Sequence, residues 1–363
     1  MNRKSEGFTR RSALKTIGLG TATLAMPMIW RRAAAADKTL IVGDPGGIYT
    51  TAYTEAYYRP FTEETGVRIV PVARRSNPSA EFKAQVETGK YNWDVSGGVT
   101  SDVADLLYSM NLLDPLDTSG DDFAAIPDEM KTPHYVADSV VTFVLAYRSD
   151  VFKSGLQSFA DLWDVQKFPG RRALRRLGRD MIEIALRADG VQGGPDIYKV
   201  LAEPGGWDRA FKKLDEIRPH VKVWWDSSPQ STQLLQTSEV DACPTFNARA
   251  QSAADNGAPV VINWNGGFYS LSGWCIPKGN PKADLARQFV KFVARPDRQA
   301  AYTTKLPNGP SNPNAYKFIT PENARRLPTF PENLQVSARL NDAFWGKHKA
   351  ESDTRFNEWL LKG

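Results

Sequence analysis

Thr39-Leu40-Ile41-Val42-Gly43, the cluster Asp44-Pro45-Gly46-Gly47, and Val67-Arg68-Ile69-Val70-Pro71-Val72 decide the fold class. The first stretch has the apolar content and length of a buried strand, and the cluster after it favours a turn. The last stretch alternates apolar with other residues, as a second strand does. Between them a helical segment runs to Thr65, where Gly66 supplies the stop. Strand, helix, strand predicts a βαβ unit and hence a parallel sheet. Open α/β sheets bind ligands beyond the carboxyl ends of their strands, so the loop from Asp44 is a candidate ligand loop.

The same alternation continues along the chain. Trp93-Asp94-Val95-Ser96-Gly97-Gly98 predicts a third strand and loop. Val103, Leu106, Leu107, Met110 and Leu113 then share one helical face, with Ser101 as the expected N-cap. Val140 to Tyr147 is β-branched and aromatic without polar alternation, which predicts a central strand buried on both faces. A second unit starts near Phe159, with a basic run of Arg171, Arg172, Arg175, Arg176 and Arg179 ahead of a helix from about Met181 to Ala188. Further helices are expected at Trp207–Ile217 and around Leu234–Gln236. Strands are expected at Val221–Trp225, Ala242–Phe246 and Val260–Trp264. Leu285, Phe289, Phe292 and Val293 repeat at helical spacing, with Pro296 as the expected stop. A Pro- and Asn-rich tail ends in amphipathic pieces around Leu334–Trp345 and Phe356–Leu361. This is αβ alternation twice over with no hydrophilic linker, which predicts two α/β lobes, a hinge and a cleft.

The amino terminus reads differently. Thr9-Arg10-Arg11-Ser12-Ala13-Leu14-Lys15 precedes an apolar run from Thr16 to Trp30, then Arg31-Arg32 and Ala33 to Ala36. A charged start, a short apolar centre and a small-residue end predict a removable export signal over residues 1–36. The paired arginines are similar to the twin-arginine type, although Ala13 stands where that pattern usually has a larger apolar residue. The expected compartment is therefore the periplasm. The whole chain has 46 Lys+Arg and 41 Asp+Glu. Residues 1–36 hold seven of the basic side chains and one acid, which leaves 39 basic and 40 acidic residues after them. That near-neutral body gives no reason to expect nucleic acid or an anionic membrane as partner.

Chemical motifs are sparse. Cys243 and Cys275 each sit in a short apolar segment, so one disulfide and two separate thiols are both open readings. Three scattered histidines and two cysteines make no metal-ligand spacing. There is no nucleophile motif, no Gly-rich phosphate loop and no paired-carboxylate signature, so neither catalysis nor a cofactor is expected. Nine tryptophans after residue 36 suit core packing, and some suit a ligand cleft.

Pro60-Phe61-Thr62-Glu63-Glu64-Thr65-Gly66-Val67, Asn92-Trp93-Asp94-Val95 and Phe168-Pro169-Gly170 carry a resemblance in their order and spacing. So do Glu239-Val240-Asp241, Phe246-Asn247-Ala248-Arg249 and Ile276-Pro277-Lys278-Gly279. Across these pieces the chain resembles the periplasmic solute-binding proteins of ABC importers, specifically their spermidine/putrescine-binding group. The resemblance implies an α/β, two-lobed periplasmic-binding-protein fold of type II. Its first lobe would be residues 37–138 and 269–310, its second 139–268 and 311–363. The chain would cross near Ser139–Val144 and return near Leu271–Trp274. It implies a monomer that takes a small nitrogenous, polyamine-like ligand and hands it to the membrane permease subunits.

The family's ligand positions map onto Asp44, Tyr49 and Thr50 in the first loop, Thr100 and Ser101 in the second, and Phe246 and Asn247. They map further onto Ser272 where the family usually has an amine-holding carboxylate, onto Ser270 with Tyr269 beside it, and onto Asn308 in a late loop. The acidic pair of the second lobe falls in the Arg175–Asp180 stretch, which here is mostly arginine, with Arg176 and Arg179 as candidate site residues. A buried ammonium needs an opposing carboxylate. Losing the acid at Ser272 and gaining arginines favours a zwitterion or carboxylate such as a γ-amino acid, because arginine binds carboxylates bidentately. Asp44 and Asp226, the latter beside Trp224 and Trp225, remain as candidate amine partners; alternation sends one of the two rings, Trp225 by expectation, toward the cleft. Charge runs are ordinarily solvated, which is the plain alternative for the arginines. A secreted cofactor enzyme and a ferric-ion carrier using Tyr57-Tyr58 are weaker readings; that tyrosine pair suits a packed helix face.

Overall fold

A computed structural model describes residues 38–75 and 77–362, so the expected export signal lies outside the described residues. The main strands are β1 Thr39–Asp44, β2 Arg68–Ala73, β3 Val95–Thr100 and β4 Tyr135–Arg148. They continue with β5 Arg172–Arg175, β6 Val221–Trp225, β7 Ala242–Phe246 and β8 Val260–Pro277. Their order across the sheet is β2-β1-β3-β8-β4-β7-β5-β6. β1 pairs in parallel with both β2 and β3, as the opening βαβ unit requires. The intervening helix runs through Ile48–Tyr53, a π-helical Thr54–Tyr58 and Arg59–Thr65. Gly66 ends it at φ 73°, a left-handed conformation open to glycine.

Buried apolar side chains fall into two cores. The first gathers residues from Leu40 to Val140 and from Leu271 to Leu306. The second gathers residues from Phe143 to Phe268 and from Leu340 to Trp359. β4 and β8 are the long antiparallel pair shared by both. β4 changes core between Val140 and Phe143, and β8 between Phe268 and Leu271. Tyr57 and Tyr58 are buried in the first core, stacked with or tilted against Tyr53, as a packed helix face should be.

Two boundaries differ from the periodicity. The helix after β3 spans Ser101–Ser109 only, with Thr100 in the cap position. Asn111 turns left-handed at φ 58°, which sends Leu113 into a short strand paired with β8 and leaves Leu106 and Met110 exposed. The late helix Ala283–Val293 ends before Pro296, and that proline instead opens the next helix, Pro296–Thr303. Proline lacks the N–H that the first turn leaves unpaired anyway. The two amphipathic tail pieces resolve into Pro331–Leu334 and one long helix, Asp342–Leu361. Cys243 and Cys275 are separate buried thiols, and burial pushes the Cys275 thiol up to about 12.

Asp138 on β4 is buried at the base of the first core. The Trp274 indole N–H donates to it at 2.8 Å and the Ser139 hydroxyl at 3.0 Å. Burial pushes its carboxyl up to about 7 despite those donors. A folded-state value above the unfolded one means the native state holds the proton more tightly, so this group's contribution is lost as pH rises from about 4 to about 7. Chemical denaturation of the wild type and Asp138→Asn across that range should show wild-type stability falling relative to the variant. Parallel curves would rule the carboxyl out as the cause.

Candidate functional site

A cavity of about 380 Å³ lies where β4 and β8 pass between the cores. Val141 of β4 faces Ser270 of β8 in register, and both line it. Ser272, two residues further along β8, lies on the same face by the period of the strand. Tyr49 contributes from the helix Ile48–Tyr53, Thr100 from the end of β3, and Leu306 and Asn308 from the late loop. Phe246 supplies an aromatic wall. A larger hollow of about 780 Å³ lies elsewhere, between Gly193–Tyr198 and Ala338–Ala343, and holds none of the residues expected from sequence.

The cavity brings Tyr49, Thr100, Arg179, Phe246, Ser272 and Asn308 together. It leaves out the other expected residues, each for a visible reason. Asp44 is fully buried and saturated: it accepts from the Gly46 N–H at 2.7 Å, the Thr50 hydroxyl at 2.5 Å and the Tyr58 hydroxyl at 2.9 Å. That bond also occupies Thr50. Ser101 is buried and donates to Asp342. Arg176 is exposed, because alternation along β5 turns Arg175 inward instead. Trp225 is buried in the second core behind Arg175, and Trp224 packs on Phe356 and Trp359, so neither ring walls the cavity. Asp226 is exposed beyond β6. Asn247 is buried, accepting from the Thr142 N–H at 3.1 Å and donating to the Pro307 carbonyl at 2.6 Å, which positions the loop carrying Asn308. Tyr269 takes the opposite face of β8 from Ser270 and packs against the first core.

The basic run divides into distinct roles. Arg171 pairs bidentately with Asp241, at 3.0 Å and 2.6 Å. Arg172 is buried and donates to the carbonyls of Leu162, Gly170 and Phe168. Arg175 and Arg179 face the cavity and share the fully buried carboxylate of Asp180. Burial opposes the charge of that carboxylate, but the two guanidinium groups outweigh it and hold the group below its ordinary range. Arg175 also lies 4.9 Å from the Phe246 ring and 5.3 Å from the Trp225 ring, a stacked position that fixes its fork.

Arg249 and Asp102 are among the cavity residues that the motif positions did not mark, with Arg175, Ser228 and Leu306. Arg249 and Asp102 are half-buried, and among the described residues neither side chain has a hydrogen bond or an ion pair. Arg249 lay inside the Phe246–Arg249 stretch and Asp102 beside Ser101, but their facing depends on how two helices start, which spacing alone does not give. Arg179, Asp102, Ser228 and Arg249 all stand in the first turns of helices: Gly178–Ala188, Ser101–Ser109, Ser228–Gln236 and Asn247–Asp255. Helix starts carry partial positive charge, so this cavity favours an anionic group.

Residues 56–331 match the family described as bacterial extracellular solute-binding protein. The chain belongs to that family. Over 97% of its length, and 97% of the relative's, it is 34% identical to a gamma-aminobutyric acid-binding protein of Pseudomonas aeruginosa. It is 24% identical to the spermidine/putrescine-binding periplasmic protein of Escherichia coli strain K12, covering 92% of this chain and 98% of that one. An ABC transporter substrate-binding protein from Bradyrhizobium japonicum USDA 110, 34% identical, superposes with a TM-score of 0.80 over 88% of this chain and 99% of that one. This solute-binding protein thus has the two-lobed fold of the periplasmic binding proteins and is the solute-binding component of an ABC transporter. Its relatives are transport proteins and not enzymes. Among the described residues no helix is long and apolar enough to cross a membrane.

Asp180→Asn would leave Arg175 and Arg179 without their anion. The two arginine side chains keep 19% and 26% of their exposure, so the loss should be roughly 2–4 kcal/mol, below a fully buried pair. Urea unfolding at neutral pH measures it; a change under about 0.5 kcal/mol would mean that solvent already screens the cluster.

Proposed function

We propose that this protein captures a small ω-amino acid zwitterion, with γ-aminobutyrate as the leading candidate, and delivers it to its permease. The observation that carries the reading is the pair of half-buried cavity charges, Arg249 and Asp102, neither of which has a side-chain hydrogen bond or ion pair among the described residues. Arg249 would take the carboxylate through its fork of donors. Asp102 would take the ammonium, with Tyr49 and Phe246 as aromatic walls. A diamine would leave Arg249 facing a second cation, at a cost that Ser272 does nothing to offset. The helix starts around the cavity and the γ-aminobutyrate-binding relative support the same reading. The polyamine-binding relative, at lower identity, keeps diamines as the comparison to test.

In this reading residues 37–138 and 269–310 form one lobe and residues 139–268 and 311–363 the other, closing on the ligand across the hinge in β4 and β8. The protein works as a monomer in the periplasm without catalysis. Residues 1–36 act as a twin-arginine export signal.

Calorimetric titration of the chain from Asp37 onward, with γ-aminobutyrate, glycine betaine, acetate, putrescine and spermidine, tests the ligand. γ-Aminobutyrate should bind tightest, and Arg249→Ala should weaken it by about 100-fold, the scale of a lost charge-assisted bidentate contact. Binding of diamines alone would overturn the assignment. For the export signal, replacing Arg10 and Arg11 by lysine should leave unprocessed precursor in the cytoplasm on fractionation. Unchanged periplasmic yield would point to the general secretion route.

A further inference from the structure

Ser101 and Asp342 come from different cores and meet. Ser101 opens the helix Ser101–Ser109, whose Val103, Ala104 and Leu107 are packed in the first core. Asp342 opens the helix Asp342–Leu361, whose Trp345, Phe356 and Trp359 are packed in the second. The Ser101 hydroxyl donates to the Asp342 carboxylate, with the two residues only 4% and 6% exposed. The two helices pack against each other at this point. Arg339 lies 3.8 Å from the same carboxylate and donates through another nitrogen to the Glu129 carbonyl. Burial pushes the Asp342 carboxyl up to about 6, opposed by Ser101, Arg339 and Arg179 and reinforced by Asp102. The contact therefore bridges the two cores against a desolvation cost, next to Ala338–Leu340, which bond Phe268 and Tyr269 where β8 changes core.

Its place in the chain matters more than its strength. Thr100 and Asp102 line the cavity, and Ser101 between them points away to Asp342. Asp102 and Arg179 also line a chamber of about 160 Å³ that reaches Trp345 and Ser352 on the long helix. The segment that presents Asp102 to a ligand is the one tied to the opposite core.

We propose that the Ser101–Asp342 contact is a closure latch that sets the fraction of closed molecules before ligand arrives, and through it the apparent affinity. A ligand that binds one conformation has its affinity scaled by that conformation's population. The proposal rests on the two-lobe reading above but not on the identity of the ligand. Ser101→Ala, Ser101→Thr and Asp342→Asn test it in the chain from Asp37 onward, by solution scattering without ligand and by γ-aminobutyrate titration and release kinetics. Ser101→Ala should enlarge the unliganded radius of gyration and raise the dissociation constant roughly 10-fold, chiefly through faster release. Ser101→Thr, which keeps the hydroxyl, should restore both. If Ser101→Ala does not fold, Asp342→Asn, whose amide oxygen is a weaker acceptor, should give a smaller shift in the same direction. Scattering that superposes on the wild type, with affinity within twofold, overturns the latch. If the wild type binds no γ-aminobutyrate, the ligand reading fails, and the unliganded scattering alone decides the latch.

Discussion

The antiparallel pairing of β4 with β8 is the constraint on which the rest of the molecule depends. Both strands contribute buried residues to both cores, changing sides at Val140–Phe143 and Phe268–Leu271. Their register decides the cavity. Setting Ser270 opposite Val141 turns Ser270 and Ser272 to one face and Tyr269 to the other, and a slip of one residue would exchange them. Trp274, one turn of the pleat further on, bonds Asp138 across the same pair and lies against Gly97, where a Cβ would come within 2.4 Å of its ring. Glycine is needed there because the indole occupies the space of a side chain.

Around that pairing, ionic groups divide into those satisfied by the fold and those left for a ligand. Asp44 has donors from Gly46, Thr50 and Tyr58; Asp180 has two arginines; Arg172 has three carbonyls. A satisfied charge has little to offer a solute, because binding would first break an existing bond. Arg249 and Asp102 carry no such partner among the described residues. The chemistry of the site lies in this contrast more than in the number of charges near it.

Residue type was legible, and facing was not. Phe246, Tyr49, Thr100, Arg179, Ser272 and Asn308 were reached through motif positions, and they meet at one cavity. Asp44 and Asp226 were sensible acids for an amine, but one is saturated and the other is exposed. Of the basic run, Arg176 was expected inward; the pleat of β5 turned out Arg175 in its place. Trp225 does serve the site, but from behind, by stacking on Arg175. Asn247 serves it by fixing the loop of Asn308.

The sequence by itself determined the α/β alternation, the doubling of that alternation, and the order of motifs that marks the family. These are local properties: apolar periodicity, turn residues and spacing need no partner to be read. The family resemblance, read from those motifs, also implied that Ser272 stands where the polyamine group has its amine-holding acid. Only the tertiary structure decided which arginines meet an acid and which do not, and that Ser101 bonds Asp342 across 241 positions of chain. Those outcomes depend on which face each strand and helix start presents after the two cores have packed, and that orientation is set by burial across the whole chain and by no segment alone.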